Sequence, residues 1–265
     1  MSYKLNRILI QNRAERILNE FQLTKLPINP IEIAEKENIL VQPKTDSEPG
    51  VSAMLLKKGD NIGIFYATYL NNPGFENFSI AHELGHYFLD GHIDYLFKTS
   101  QIHLSNAGYI GFDKIEQEAD TFAAALLMPE NLFKDKLTEY EKGLACIEAM
   151  ALLCNTSLTA TAIRYAELTD DKVVILVSTD GIVDYCCVSD SIFKLRDVEK
   201  PKRGWKIPSD TATYLYSKNP DKVLKLEKIC METRFLDWLE CRSLKEAYEE
   251  TIGLGKYGKV LTVIS

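Results

Sequence analysis

Three ionisable side chains, His82, Glu83 and His86, fall inside one of the more apolar stretches of the chain, Phe78-Ser79-Ile80-Ala81-His82-Glu83-Leu84-Gly85-His86-Tyr87-Phe88-Leu89. Ile80, Ala81, Leu84, Phe88 and Leu89 recur at helical spacing, so the run from about Asn77 to Leu89 is predicted to be a core helix. On a helix, His82 and His86 lie about one turn apart and leave the same face. Both ring nitrogens can then reach one zinc ion at ~2.0–2.1 Å. Glu83 stands about 100° round the helix from His82, close enough to contact a water at the metal without being a ligand. The chain has only four histidines, and two stand in this pattern, which argues against a chance match on an exposed helix.

A catalytic zinc usually takes three protein ligands and keeps one position open. Residues 114–127 read as a second strong helix, with Ile115, Ala119, Phe122, Ala123, Leu126 and Leu127 on one face. Met128-Pro129 stops it, because the residue before proline avoids helical geometry. Glu116 and Asp120 are one turn apart on this helix, as the histidines are on theirs. Small Ala119 and Ala123 on that side let two helices approach closely. Glu116 is therefore assigned as the third ligand, and Asp120 as the acceptor of a histidine N–H, which fixes the tautomer and raises ligand basicity. Glu118 suits a solvated acidic helix start favoured by the dipole.

Around these helices the chain alternates elements. A first helix is predicted over 4–20 and a short one over 31–38, followed by a strand at 39–41. Val51 to Leu56 and Ile62 to Ala67 form a hairpin signal. Residues 91–111 read as a long loop or short irregular elements. Helices fill 130–167, with a break at Asn155-Thr156-Ser157 that resembles the turn of a helix-turn-helix. The texture changes after Asp170: two strands flank Thr179-Asp180-Gly181, residues 221–231 look helical, and strands are expected around Trp238 and at Val260 to Ile264. A boundary is placed near 168–172, dividing a 1–168 domain that carries the metal-ligand pattern from a 169–265 α/β region. The fold class is α+β.

A net charge of −7 argues against nonspecific binding to a phosphate backbone. No window approaches the ~18 apolar residues of a membrane span, and the N-terminus lacks a signal-peptide core. The expectation is a soluble, cytoplasmic protein with no membrane role. Its six cysteines show no C-x-x-C pair and read as reduced thiols.

The segments Phe78 to His86 and Glu116-Gln117-Glu118-Ala119-Asp120-Thr121-Phe122-Ala123-Ala124-Ala125-Leu126-Leu127-Met128-Pro129 resemble the ImmA/IrrE-type metallopeptidases. The Phe-Ala-Ala-x-Leu-Leu-Met-Pro ending is far more specific than H-E-x-x-H alone, and the resemblance covers about residues 5–165. It implies a gluzincin-like zinc endopeptidase of bacteria and mobile elements, one that cleaves a helix-turn-helix repressor to release a stress or excision programme. Carried over residue by residue, it implies one zinc on His82, His86 and Glu116, with Glu83 as general base and Asp120 in support. Two departures stand out: Glu76-Asn77-Phe78 replaces the arginines of many relatives, and nothing firm matches after residue 170.

His92, Tyr95, His103 and Tyr109 lie between the two helices and are candidates to stabilise an oxyanion. An extended substrate is expected along an edge of the 50–67 hairpin. The alternative from another class is a DNA-binding or sensor protein with a vestigial or structural zinc site. The intact Glu83 disfavours it. So does residue composition over 158–167, where Arg164 is the one basic residue and specific readers carry several.

Overall fold

The computed structural model describes residues 3–45, 50–106, 113–195, 198–240 and 246–265. It has a mixed α+β architecture in two compact units, Met1–Phe133 with Ala151–Ser157, and Lys134–Met150 with Leu158–Ser265.

The first unit opens with α1 (Tyr3–Glu20) and α2 (Pro30–Lys36), whose Asn29 cap and leading Pro30 define its start. Next come β1 (Leu40–Lys44), β2 (Val51–Lys58) and β3 (Asn61–Ala67). Helix α3 (Pro73–Phe88), the short α4 (His92–Leu96), β4 (Ile102–Asn106) and α5 (Lys114–Leu127) follow. The sheet order is β1-β3-β2-β4, with β1 parallel to β3 and the other pairs antiparallel. Strands β2 and β3 are the predicted hairpin. Both of its outer edges are covered, by β4 and β1. A substrate cannot add to the hairpin itself as expected, and among the described residues the edge on the β2 side belongs to β4.

Helix α3 packs on β2 and β3 and also against α5, which in turn receives α1. Its apolar stripe explains this: Ile80, Ala81 and Leu84 are buried, as are Ala119, Phe122 and Ala123 of α5. The approach is tight at Gly85, where an added Cβ would stand 3.1 Å from both Cα and the carbonyl oxygen of Ala119.

Helices α6 (Glu130–Leu137) and α7 (Leu144–Cys154) lie where the chain passes between units, and α8 (Leu158–Leu168) belongs to the second. Helix α8 packs on β5 (Val174–Thr179) and β6 (Ile182–Val188), partners its own sequence does not reveal. No residue of α8 is fully exposed, and its one basic side chain, Arg164, is buried and bonded to Glu167 at 3.2 Å. As a DNA-reading helix it would have no basic face to present.

The remaining elements are α9 (Asp190–Phe193), α10 (Ala212–Ser217), α11 (Pro220–Lys225), β7 (Lys228–Arg234), α12 (Phe235–Trp238), β8 (Glu246–Gly253) and β9 (Val260–Ile264). They complete an antiparallel sheet of order β6-β5-β9-β8-β7. Two expectations are corrected here: residues 228–231 are strand rather than helix, and Trp238 lies in a short helix rather than a strand. Strand β8 was not anticipated. Strand β7 is an edge exposed along most of its length, so it shows no apolar period. In β8 the apolar face is interrupted by buried Glu249, which accepts from the backbone N–H groups of Ala212 and Thr213 and from the Thr213 hydroxyl.

Among the described residues no single helix is long and apolar enough to cross a membrane. Cys146, Cys154, Cys186, Cys187 and Cys230 are free thiols, and Cys241 lies outside the described residues.

The α3–α5 contact can be tested directly. Gly85→Val inserts three methyl-sized groups against the Ala119 backbone and is expected to cost about 1–3 kcal/mol, read as a lowered thermal midpoint.

Candidate metal centre

Both helices that carry the site have defined starts. The Asn72 side chain accepts from the Phe75 N–H at 3.1 Å, with Pro73 first in the helix. Asp113 accepts from the Ile115 N–H at 3.0 Å. These caps satisfy N–H groups that a helix start leaves open. His82, Glu83 and His86 then fall in the buried second half of α3, facing Glu116 and Asp120 in the first half of α5.

The side chains predicted from spacing come together. His82 Nε2 is 3.1 Å from His86 Nε2 and 3.1 Å from Glu116 Oε2, and His86 Nε2 is 3.3 Å from Glu116 Oε1. Asp120 Oδ1 lies 2.8 Å from His82 Nδ1, as its assignment as a histidine acceptor requires. A carboxylate only accepts, so the Asp120 contact places a proton on Nδ1 and leaves Nε2 of neutral His82 with its lone pair.

Two nitrogens and a carboxylate thus converge within bonding reach of one small cation. Ligands ~2.0–2.1 Å from a tetrahedral zinc stand roughly 3.4 Å from one another, near the separations seen here. His82, His86 and Glu116 are a donor set that could hold such an ion. In a metal-free protein a proton takes its place. Burial lowers the His82 pKa, but bonds to Asp120 and Glu116 outweigh it and push the value up to about 10. Burial drives His86 down to about 3, so it stays neutral beside its charged neighbour. For Glu116 burial acts upward, but contacts with His103, His82 and His86 prevail and hold it far below the usual carboxylate range.

Glu83 is fully buried. Its Oε1 accepts from the Ser105 hydroxyl at 2.6 Å, while Oε2 has no hydrogen-bond partner among the described residues. Burial raises its pKa, against His82, the Ser105 bond and His103. An orphaned buried carboxylate oxygen beside a cation-shaped donor set is a costly arrangement for a merely structural helix.

Of the four candidates between the helices, the structure brings two to the site. His103 Nε2 is 3.2 Å from Glu116 Oε1 and 3.3 Å from Ser105 Oγ. His92 Nδ1 meets His86 Nδ1 at 3.1 Å, and its Nε2 meets Glu118 Oε2 at 3.1 Å. Glu118 is therefore tied to His92 rather than being the solvated helix start that was expected. Tyr95 is exposed, and Tyr109 lies outside the described residues. Sequence reasoning missed Ser105. The signal was present in Ile102-His103-Leu104-Ser105, which alternates with period two, polar residues inward and apolar outward.

Residues 34–152 match the Peptidase_M78 family, described as an IrrE N-terminal-like domain. The match takes in both site helices and agrees with the family that the motifs implied. Across solved structures, the chain is similar to a Mycobacterium tuberculosis transcriptional regulator, with a TM-score of 0.61 at 13% identity, covering 96% of this chain and 76% of that one. At that identity the likeness is one of fold. No curated protein matches the sequence.

The raised Glu83 pKa has a definite stability signature. Folded Glu83 holds its proton more tightly than the unfolded chain does. Its contribution is therefore complete below the unfolded value of about 4.3 and is lost as pH rises through the folded value. Thermal melts of metal-stripped protein should show Glu83→Gln more stable than wild type near about pH 7, with the gap closing below about pH 4.

Proposed function

We propose that this chain is a zinc-dependent endopeptidase whose substrate is a regulatory protein of the helix-turn-helix repressor class. The observation that carries the reading is the convergence of His82 Nε2, His86 Nε2 and Glu116 on one point beside a buried carboxylate with a free oxygen. His82, His86 and Glu116 would hold one zinc per chain. A structural site would need neither Glu83 nor its open oxygen. The repressor class is supported by the ImmA/IrrE resemblance.

Zinc in that position supplies Lewis acidity, which acidifies water and polarises a peptide carbonyl. The chain's own residues do the rest. Ser105 holds Glu83 Oε1, so the carboxylate can turn only Oε2 toward a water. Glu83 takes the proton of the attacking water and delivers it to the departing amine. Its raised pKa suits both halves of that transfer. Asp120 keeps His82 in one tautomer. His103, whose Nε2 faces the same space from β4, donates to the oxygen that gains charge. The substrate backbone pairs with β4, the edge strand that carries His103 and Ser105.

The test uses purified protein, zinc and a panel of helix-turn-helix repressors as substrates. Glu83→Gln should keep its zinc and lose cleavage by about 10²–10⁴-fold, whereas Glu116→Gln should lose zinc as well. Cleavage by Glu83→Gln at the wild-type rate would exclude the mechanism. With substrate bound, amides 102–106 should gain protection from hydrogen exchange; unchanged exchange there removes the β4 docking mode.

A further inference from the structure

We propose that His92 and Glu118 form a positioning relay behind His86, holding it in the tautomer that presents Nε2 to the metal. The proposal rests on the metal-site reading above and extends it to the second imidazole.

The order of donors along the relay follows from chemistry. Glu118 Oε2, 3.1 Å from His92 Nε2, belongs to a carboxylate and accepts. His92 Nε2 therefore carries the hydrogen. A neutral imidazole has one N–H, so His92 Nδ1 is an acceptor. It stands 3.1 Å from His86 Nδ1, which must then donate. His86 Nε2 is left with its lone pair, 3.3 Å from Glu116 Oε1 and 3.1 Å from His82 Nε2. His82 reaches the same state through Asp120 directly. Each imidazole is thus backed by a carboxylate of α5, one at first hand and one through a second imidazole.

The local fold is built to bring His92 into place. Helix α3 ends with Leu89 in extended backbone, and Gly91 at φ +80° reverses the chain, a conformation glycine adopts freely. No atom lies within 4 Å of a Cβ added at Gly91, so the requirement there is one of backbone and not of space. His92, the first residue of α4, is 2% exposed, deeper than loop residues commonly sit. Glu118 is fixed in turn by Asn6 Nδ2 at 2.5 Å and Lys114 Nζ at 3.2 Å. Those contacts tie the relay to α1 as well as to α5.

The relay predicts weaker metal binding when it is broken, with a readout independent of catalysis. Zinc affinity would be measured by competition with a chromogenic chelator for wild type, Glu116→Gln, Glu118→Gln and His92→Phe. The expected result is a loss of about 10–100-fold for Glu118→Gln and His92→Phe. Glu118→Gln keeps the result interpretable if His92→Phe folds poorly. Nitrogen-15 spectra of wild type should show His86 as the Nδ1–H tautomer and His92 as the Nε2–H tautomer, with the His92 preference lost in Glu118→Gln. If wild type binds zinc and Glu116→Gln does not, yet both relay variants match wild type, the relay is overturned and the metal site stands. If wild type takes up no zinc, the metal-site reading fails and the relay with it.

Discussion

The approach of α3 to α5 at Gly85 and Ala119 sets the scale of everything built between them. With 3.1 Å separating a notional Gly85 Cβ from the Ala119 backbone, the helices pack closely there. Short-range contacts follow from that. His82 and His86 on one helix reach Glu116 and Asp120 on the other without any loop in between. Phe88 and Phe122 stack at 5.9 Å between centroids beside the polar cluster, which keeps its surroundings apolar. In such a setting burial lowers the pKa of both imidazoles, and His82 alone is carried the other way, by its bonds to Asp120 and Glu116. Rigid helices hold a constellation more precisely than loops do.

Burying His82, Glu83 and His86 on one helix creates a demand that the rest of the unit meets piece by piece. Each polar atom draws on a different element: Asp120 and Glu116 from α5, His92 from α4, Ser105 and His103 from β4. Buried polar groups are costly unless paired, and nearly all of these are. The exception at the site is the free oxygen of Glu83, beside the point where the two Nε2 atoms face Glu116. The proposed cation and its water would sit there. An arrangement optimised for stability alone would replace that carboxylate with an apolar side chain.

The two long helices and their four facing residues were legible in the sequence because they obey a local rule. A period of 3.6 residues puts His82 with His86, and Glu116 with Asp120, on one face each, and the alanines announce the contact. Loop residues obey no such rule. His92 reaches His86 only because Gly91 reverses the chain, and Glu118 matters only because α4 lies over it. The second unit was harder still. Strand β7 lies at an edge with little to bury, and β8 turns a glutamate inward where Thr213 and the start of α10 neutralise it, so neither displays the period of a half-buried strand. Helix α8 shows its apolar face clearly, but not that β5 and β6 are what covers it.

Strand β4 reverses the usual polarity of a sheet, and the reversal bears on how a substrate is held. His103 and Ser105 point toward the metal centre, while Ile102 and Leu104 are 46% and 48% exposed. The inner pair is explained by the site. Nothing in the fold requires the outer pair to be apolar, since polar residues at alternate positions would serve a solvated face equally well. Edge strands with exposed apolar residues invite pairing with other chains, and proteins commonly blunt them with charge or proline. Neither device is present in Ile102-His103-Leu104-Ser105-Asn106. An extended peptide paired beside β4 would satisfy the strand's open backbone groups and cover Ile102 and Leu104 with its own side chains. Under the peptidase reading proposed above, the feature that makes the edge a liability in isolation is the one that would bring a peptide to His103 and Glu83.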